Sequence, residues 1–213
     1  MTAITILDGG TGRELKRIGA PFRQPEWSAL ALIEAPHFVS QVHARYVAAG
    51  ADVITTNSYA LVPFHIGVER HAREAGKLAG LAGRLARAVA DGAGRPVRVA
   101  GSLPPVCGSY RADLFDAGEA RPLVEVLVEA LRPSVDLWLG ETLSAIAEAQ
   151  LLREVIGQDG KPLWLSFTLS DDGTHTDVPR LRSGETVTAA VEAALELSTD
   201  EAETLKRDPG ADA

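Results

Sequence analysis

Apolar residues in this chain fall into short unbroken runs separated by amphipathic stretches, and the two kinds alternate along its length. The runs are "ITIL" (4–7), "ADVITTN" (51–57), "PVRVAGSL" (96–103), "VDLWLGETL" (135–143) and "KPLWLSFTL" (161–169). Runs of this kind, lacking polar alternation, mark strands covered on both faces. Between them, residues 35–50 read as a helix with Pro36 in its first turn and Gly50 at its end. Residues 68–92 read as a longer helix in which Leu78, Leu81, Leu85 and Val89 recur at spacings of three and four. Further helices are predicted around 120–133, 144–157 and 183–197. Five strand–helix units in a row predict an α/β fold with a parallel sheet.

The longest connections follow the first and third strands, at "TGRELKRIGAPFRQPEWSALALIE" and "SLPPVCGSYRADLFDAGE". Both leave the carboxyl ends of strands, where ligands bind in parallel α/β domains, although a plain loop is the alternative for either. With no repeat and no low-complexity linker, residues 1–197 form one predicted domain and 198–213 a polar tail. In that tail Ser198 and Glu201 make a capping box ahead of a short polar helix. A net charge of -8 disfavours nucleic acid or an anionic membrane surface as partner, leaving a small molecule. No stretch reaches the roughly 18 apolar residues of a membrane span. The N-terminus meets Asp8 with no basic segment before it, which predicts a cytoplasmic protein.

Each predicted strand ends in small or polar residues. Asp8-Gly9-Gly10-Thr11-Gly12 follows the first, Thr55-Thr56-Asn57 the second, Gly101-Ser102 the third and Glu141-Thr142 the fourth. Glycines let a ligand reach backbone N–H groups, which suits a carboxylate, and Asp8 and Glu141 can receive an ammonium group. The set points to a pocket for an amino-acid zwitterion. Asp8 can instead cap the next helix, Glu141 can pair with an Arg or Lys, and Thr55 to Asn57 can satisfy loop backbone. An unrelated barrel enzyme using Asp8 and Glu141 as acid and base is a further alternative.

Four segments, "ILDGGTGRELKRIG", "YVAAGADVITTNSYA", "VAGSLPP" with "GSYRADL", and "DLWLGETLSAIAEAQ", resemble successive strand-end motifs of the homocysteine S-methyltransferase family, over roughly residues 3–197. The resemblance implies a parallel (β/α) TIM-barrel type fold of eight units, of which this sequence shows about five. It implies methyl transfer to the sulfur of homocysteine, giving methionine, with S-methylmethionine or S-adenosylmethionine as donor. Carried onto this sequence, it makes Asp8, Gly9 and Gly10 part of the homocysteine pocket and Glu141 the ammonium partner. Thr56, Asn57 and Ser102 stand in the pocket wall.

The resemblance also implies zinc, which lowers the pKa of the substrate thiol so that a thiolate meets the donor carbon. In the family three cysteines hold it, one in an "NC" motif and two in a "GGCC"-like motif. This sequence has neither motif, and its one cysteine, Cys107, lies in a Pro-rich loop after the third strand. The zinc-ligand cysteines are therefore missing, and Cys107 reads as an incidental loop residue. His37, His43, His65, His71 and His175 read as surface or helix-face residues. Five strands leave a barrel unclosed, so the expectation is a shortened barrel with open edges that favour self-association, and a catalytically silent binding or assembly module is the alternative function.

Overall fold

Strands β1 (Val53–Thr55), β2 (Arg98–Leu103), β3 (Leu137–Leu143) and β4 (Leu163–Phe167) pair side by side in chain order, every pairing parallel. The computed structural model of the chain describes residues 4–171 and 178–197. The predicted tail at 198–213, with its capping box, and His175 lie outside the described residues. The helices are α1 (Thr11–Arg17), α2 (Ser28–Glu34), α3 (His37–Ala48), α4 (Pro63–Ile66), α5 (Val68–Asp91), α6 (Ala117–Leu131), α7 (Ile146–Ile156) and α8 (Val187–Leu197).

The first predicted strand is reduced to one parallel bridge, Leu7 to Val53, with Asp8 N–H donating to the Val53 carbonyl at 2.9 Å. Among the described residues it has a neighbour on one side only, and Ile4 and Ile6 are 83% and 50% exposed. A ladder needs burial to hold its register, and this segment has little. The connection after it is not a plain loop, the alternative the sequence allows, because α1 and α2 both lie within it. At seven residues each, they are too short to show a repeating apolar stripe.

Of the apolar stripe predicted for helix α5, Leu78 lies on the buried face and the rest lie at its margin. Ala75, Ala79, Ala82, Gly83, Ala86 and Ala90 are buried, whereas Leu81, Leu85 and Val89 are only partly so. Small residues let the helix approach closely: a Cβ on Gly83 would stand 3.0 Å from Ser134 Cβ. The main core fills the space between sheet and helices, while Val53, Ala100, Leu137 and Leu139 form a smaller cluster on the opposite sheet face. That face leads to the candidate site. Side chains alternate along a strand, so two residues beyond Val53, Ala100 and Leu139 come Thr55, Ser102 and Glu141 at the carboxyl ends. A register shift between Gly140 and Leu143 falls beside Glu141, where bulges commonly re-aim side chains.

Candidate functional site

A cavity of about 650 Å³ opens at the carboxyl ends of the strands, lined by the segment after Leu7, the loops following β1 and β2, and the end of β3. Asp8 and Glu141 both line it. Asp8 accepts the Thr55 N–H and the Thr55 hydroxyl, each at 2.8 Å, and does not cap α1. Burial pushes its carboxyl up to about 6, against the pull of the two Thr55 bonds, and the nearby Glu141 charge adds to the rise. Burial likewise raises the Glu141 carboxyl, while a bond from the Ser102 hydroxyl at 2.7 Å favours the ionised form. Among the described residues, no Lys or Arg stabilises either carboxylate. Two carboxylates held in a cavity without a cation create a place for one.

Of the other predicted residues, Gly9, Gly10, Thr56 and Asn57 line the cavity, and Ser102 does not. Ser102 is fully buried behind the wall and acts through Glu141. Thr56 and Asn57 spend hydrogen bonds on the scaffold. Ser102 N–H donates to Thr56 Oγ1 at 3.0 Å, and Asn57 Nδ2 donates to the Ser28 carbonyl at 3.0 Å. Since the Ser58 hydroxyl donates to the Ser102 carbonyl at 2.7 Å, Thr56 is the donor in its own 2.9 Å bond to Ser58. The loop alternative thus describes part of what these two residues do. Gly9 is required by packing, because a Cβ there would meet the Tyr46 hydroxyl at 3.0 Å, whereas a Cβ on Gly10 meets nothing nearer than Arg13 Cγ at 3.9 Å.

Sequence reasoning missed the far wall. Tyr59 shares a 2.9 Å hydrogen bond with Ser109 and is also bonded to Thr142. Phe22 and Trp27 meet edge to face at 5.8 Å. Among the described residues the non-glycines with positive φ are Trp27 (49°), Tyr110 (65°) and Thr142 (66°), and all three line the cavity. Such backbone is costly for bulky residues and clusters at binding sites. No composition signal marks it. The aromatic Tyr59 and Tyr110, each a few residues past a strand end, were the available hint.

The histidines divide. His37 is exposed, but His43 and His71 are buried in the core, so the surface reading fails for them: their helix faces turn inward. His65 lines the cavity, its Nδ1 bonded to the Pro25 carbonyl at 2.9 Å. Cys107 is a free, half-buried thiol packed against the core, its pKa raised by burial. Among the described residues no group of three or more His, Cys, Asp and Glu is placed to hold a metal. One thiol, off the cavity, does not fit a three-thiolate zinc site.

The homocysteine S-methyltransferase family model matches residues 5–202. The chain belongs to the homocysteine S-methyltransferase family. Within that family it is 34% identical over 200 residues to the homocysteine S-methyltransferase of Escherichia coli K12, covering 84% of this chain and 63% of the relative. It is 29% identical over 214 residues to the selenocysteine methyltransferase of Astragalus bisulcatus, covering 80% of this chain and 60% of that one. It thus spans about 60% of the length of such curated relatives. The metallated form of the homocysteine methyltransferase MmuM from Escherichia coli superposes with a TM-score of 0.72 at 30% identity, covering 92% of this chain and 72% of MmuM. The parallel sheet of this family member is therefore of the TIM-barrel type. Among its described residues no helix is long and apolar enough to cross a membrane.

Proposed function

We propose that this chain provides the homocysteine-binding part of a cytoplasmic homocysteine S-methyltransferase, with S-methylmethionine or S-adenosylmethionine as methyl donor. Asp8 and Glu141 grip the α-ammonium, and the backbone at Gly9 and Gly10 faces the α-carboxylate. Ser102 positions Glu141, and Thr56 and Asn57 hold the wall. The observation that carries the reading is the pair of cation-free carboxylates sharing one cavity. A cavity of about 650 Å³ exceeds what one small amino acid fills, which leaves room for a donor.

Family chemistry needs a metal-bound thiolate, and the described residues do not gather the donors for it. The reading therefore separates binding from turnover: the isolated chain retains homocysteine and forms no methionine. Equilibrium dialysis against labelled homocysteine, run beside a methionine assay with each donor in chelator-treated buffer, tests both halves. Retention without product supports the reading, and methionine formation by the chain alone overturns it.

A second reading, an assembly module that pairs with another copy of itself, is favoured by the sheet edges. Residues 4–7 and 163–167 contain no charge and no proline, the usual protections of an exposed edge, although just beyond the second segment Leu169 is bridged to Leu181. β4 holds no fully buried residue. Light scattering decides it: a dimer that Ile6→Lys converts to monomer supports this reading, and a monomeric wild-type chain excludes it.

A further inference from the structure

We infer that the cavity of this chain selects its ligand by the amino-acid end and is indifferent to the sulfur, so that straight-chain α-amino acids of homocysteine's size bind alike and without metal. The inference rests on the function proposed above and narrows it.

It follows from where polar and soft groups lie. The groups able to hold charge face the strand ends, at Asp8 and Glu141. The remaining walls present carbon and hydroxyl, from Leu7, Phe22, Trp27, Tyr59 and Leu139. Among the described residues no cysteine or methionine lines the cavity. The ring of His65 reaches the wall with its Nδ1 donating to the Pro25 carbonyl, which leaves Nε2 as the acceptor of a neutral imidazole. Among the described residues, His65, Asp8 and Glu141 are not gathered closely enough to hold a metal ion between them.

Selectivity for a thiol over a methyl group of similar size requires a partner that treats them differently. A thiol is a weak donor that packs like a small apolar group, so carbon walls do not discriminate. A metal ion would, because it binds the thiolate and has no bond for a methyl group. With the donor set present here, the binding energy that distinguishes ligands comes from charge-assisted bonds between the ammonium and the two carboxylates.

Isothermal titration of the 213-residue chain with L-homocysteine, L-norvaline and L-methionine, in buffer with EDTA and again with one equivalent of zinc, tests this. Homocysteine and norvaline, which exchange –SH for –CH3, are expected to bind within about threefold of one another in both buffers. Methionine is expected to bind as well, and Glu141→Gln to weaken all three alike by about tenfold or more. Homocysteine binding about a hundredfold tighter than norvaline, with that advantage lost in EDTA, overturns the inference while leaving the proposed function intact. If none of the three binds, the inference and the proposed function fall together.

Discussion

Ser102 on β2 donates its hydroxyl to Glu141 Oε2 on β3 at 2.7 Å, from a position with no solvent exposure of its own. The bond opposes the upward push of burial on the Glu141 carboxyl. Ser102→Ala is therefore expected to raise that carboxyl further, so that it loses its charge at a higher pH than in the wild-type chain. Homocysteine affinity, titrated at pH 6 and pH 8, should fall by several-fold more at the lower pH, with about 1 kcal/mol of stability lost. A purely structural role for Ser102 would give the same loss at both pH values.

Asp8 works against the stability of the unliganded fold. Its folded carboxyl titrates at about 6 and its unfolded one at 3.8, so the folded state holds the proton more tightly between those values. Stability from this group is present below 3.8 and is lost as pH rises through 6. Asp8→Asn keeps both Thr55 contacts, with Oδ1 accepting from the Thr55 N–H and Nδ2 donating to the Thr55 hydroxyl. Urea unfolding is expected to show the variant about 1–2 kcal/mol more stable at pH 7.5, allowing for partial exposure of Asp8, and no more stable at pH 4. Its homocysteine binding should be lost.

His43 behaves in the opposite sense. It is fully buried on α3, both ring nitrogens lack hydrogen-bond partners among the described residues, and burial pushes its pKa down to about 4. The unfolded chain takes up its proton below 6.5, so stability falls as pH drops from 6.5 towards 4. Relative to pH 8, the loss from this group at pH 5 is about 2 kcal/mol. His43→Leu should remove that component, and it should also add stability at pH 8 by relieving an unsatisfied buried polar ring. Paired urea curves at the two pH values check it.

Much of this architecture was readable from residue pattern, and the failures have physical reasons. The strands β1 to β3 are legible because two covered faces favour near-continuous apolar runs, and β4 carries the same signal although none of its residues is fully buried. The 4–7 segment carries the same signal, yet a single neighbour leaves it only one bridge. In α5 only Leu78 of the leucine stripe lies on the buried face, because alanine and glycine form the rest of it where backbones approach. Asp8 and Glu141 were legible as carboxylates after apolar strands. Trp27, Tyr110 and Thr142 were not, because the turns that place them use a backbone conformation their side chains do not advertise.

Glycine positions separate packing from ligand access. A Cβ on Gly140 would stand 2.8 Å from Leu152 Cδ1 and 3.0 Å from Leu165 Cδ2, side chains that are themselves packed in the core. Gly140→Ala is expected to cost about 1–3 kcal/mol, while Gly10→Ala, whose Cβ would make only ordinary contact with the Arg13 side chain, should be near neutral for folding. Thermal unfolding of the two variants gives the comparison. A similar cost at both sites would contradict the packing described here.

The proposed function requires Asp8 and Glu141, which have no cation of their own among the described residues, to hold a ligand's α-ammonium. Its most direct test is a titration of the wild-type chain at pH 7.5 with L-homocysteine and with 4-mercaptobutanoate, which keeps the thiol and the carboxylate and lacks the ammonium. Saturable binding of homocysteine is expected, with 4-mercaptobutanoate weaker by about a hundredfold or more. Equal affinity for the two compounds would contradict it.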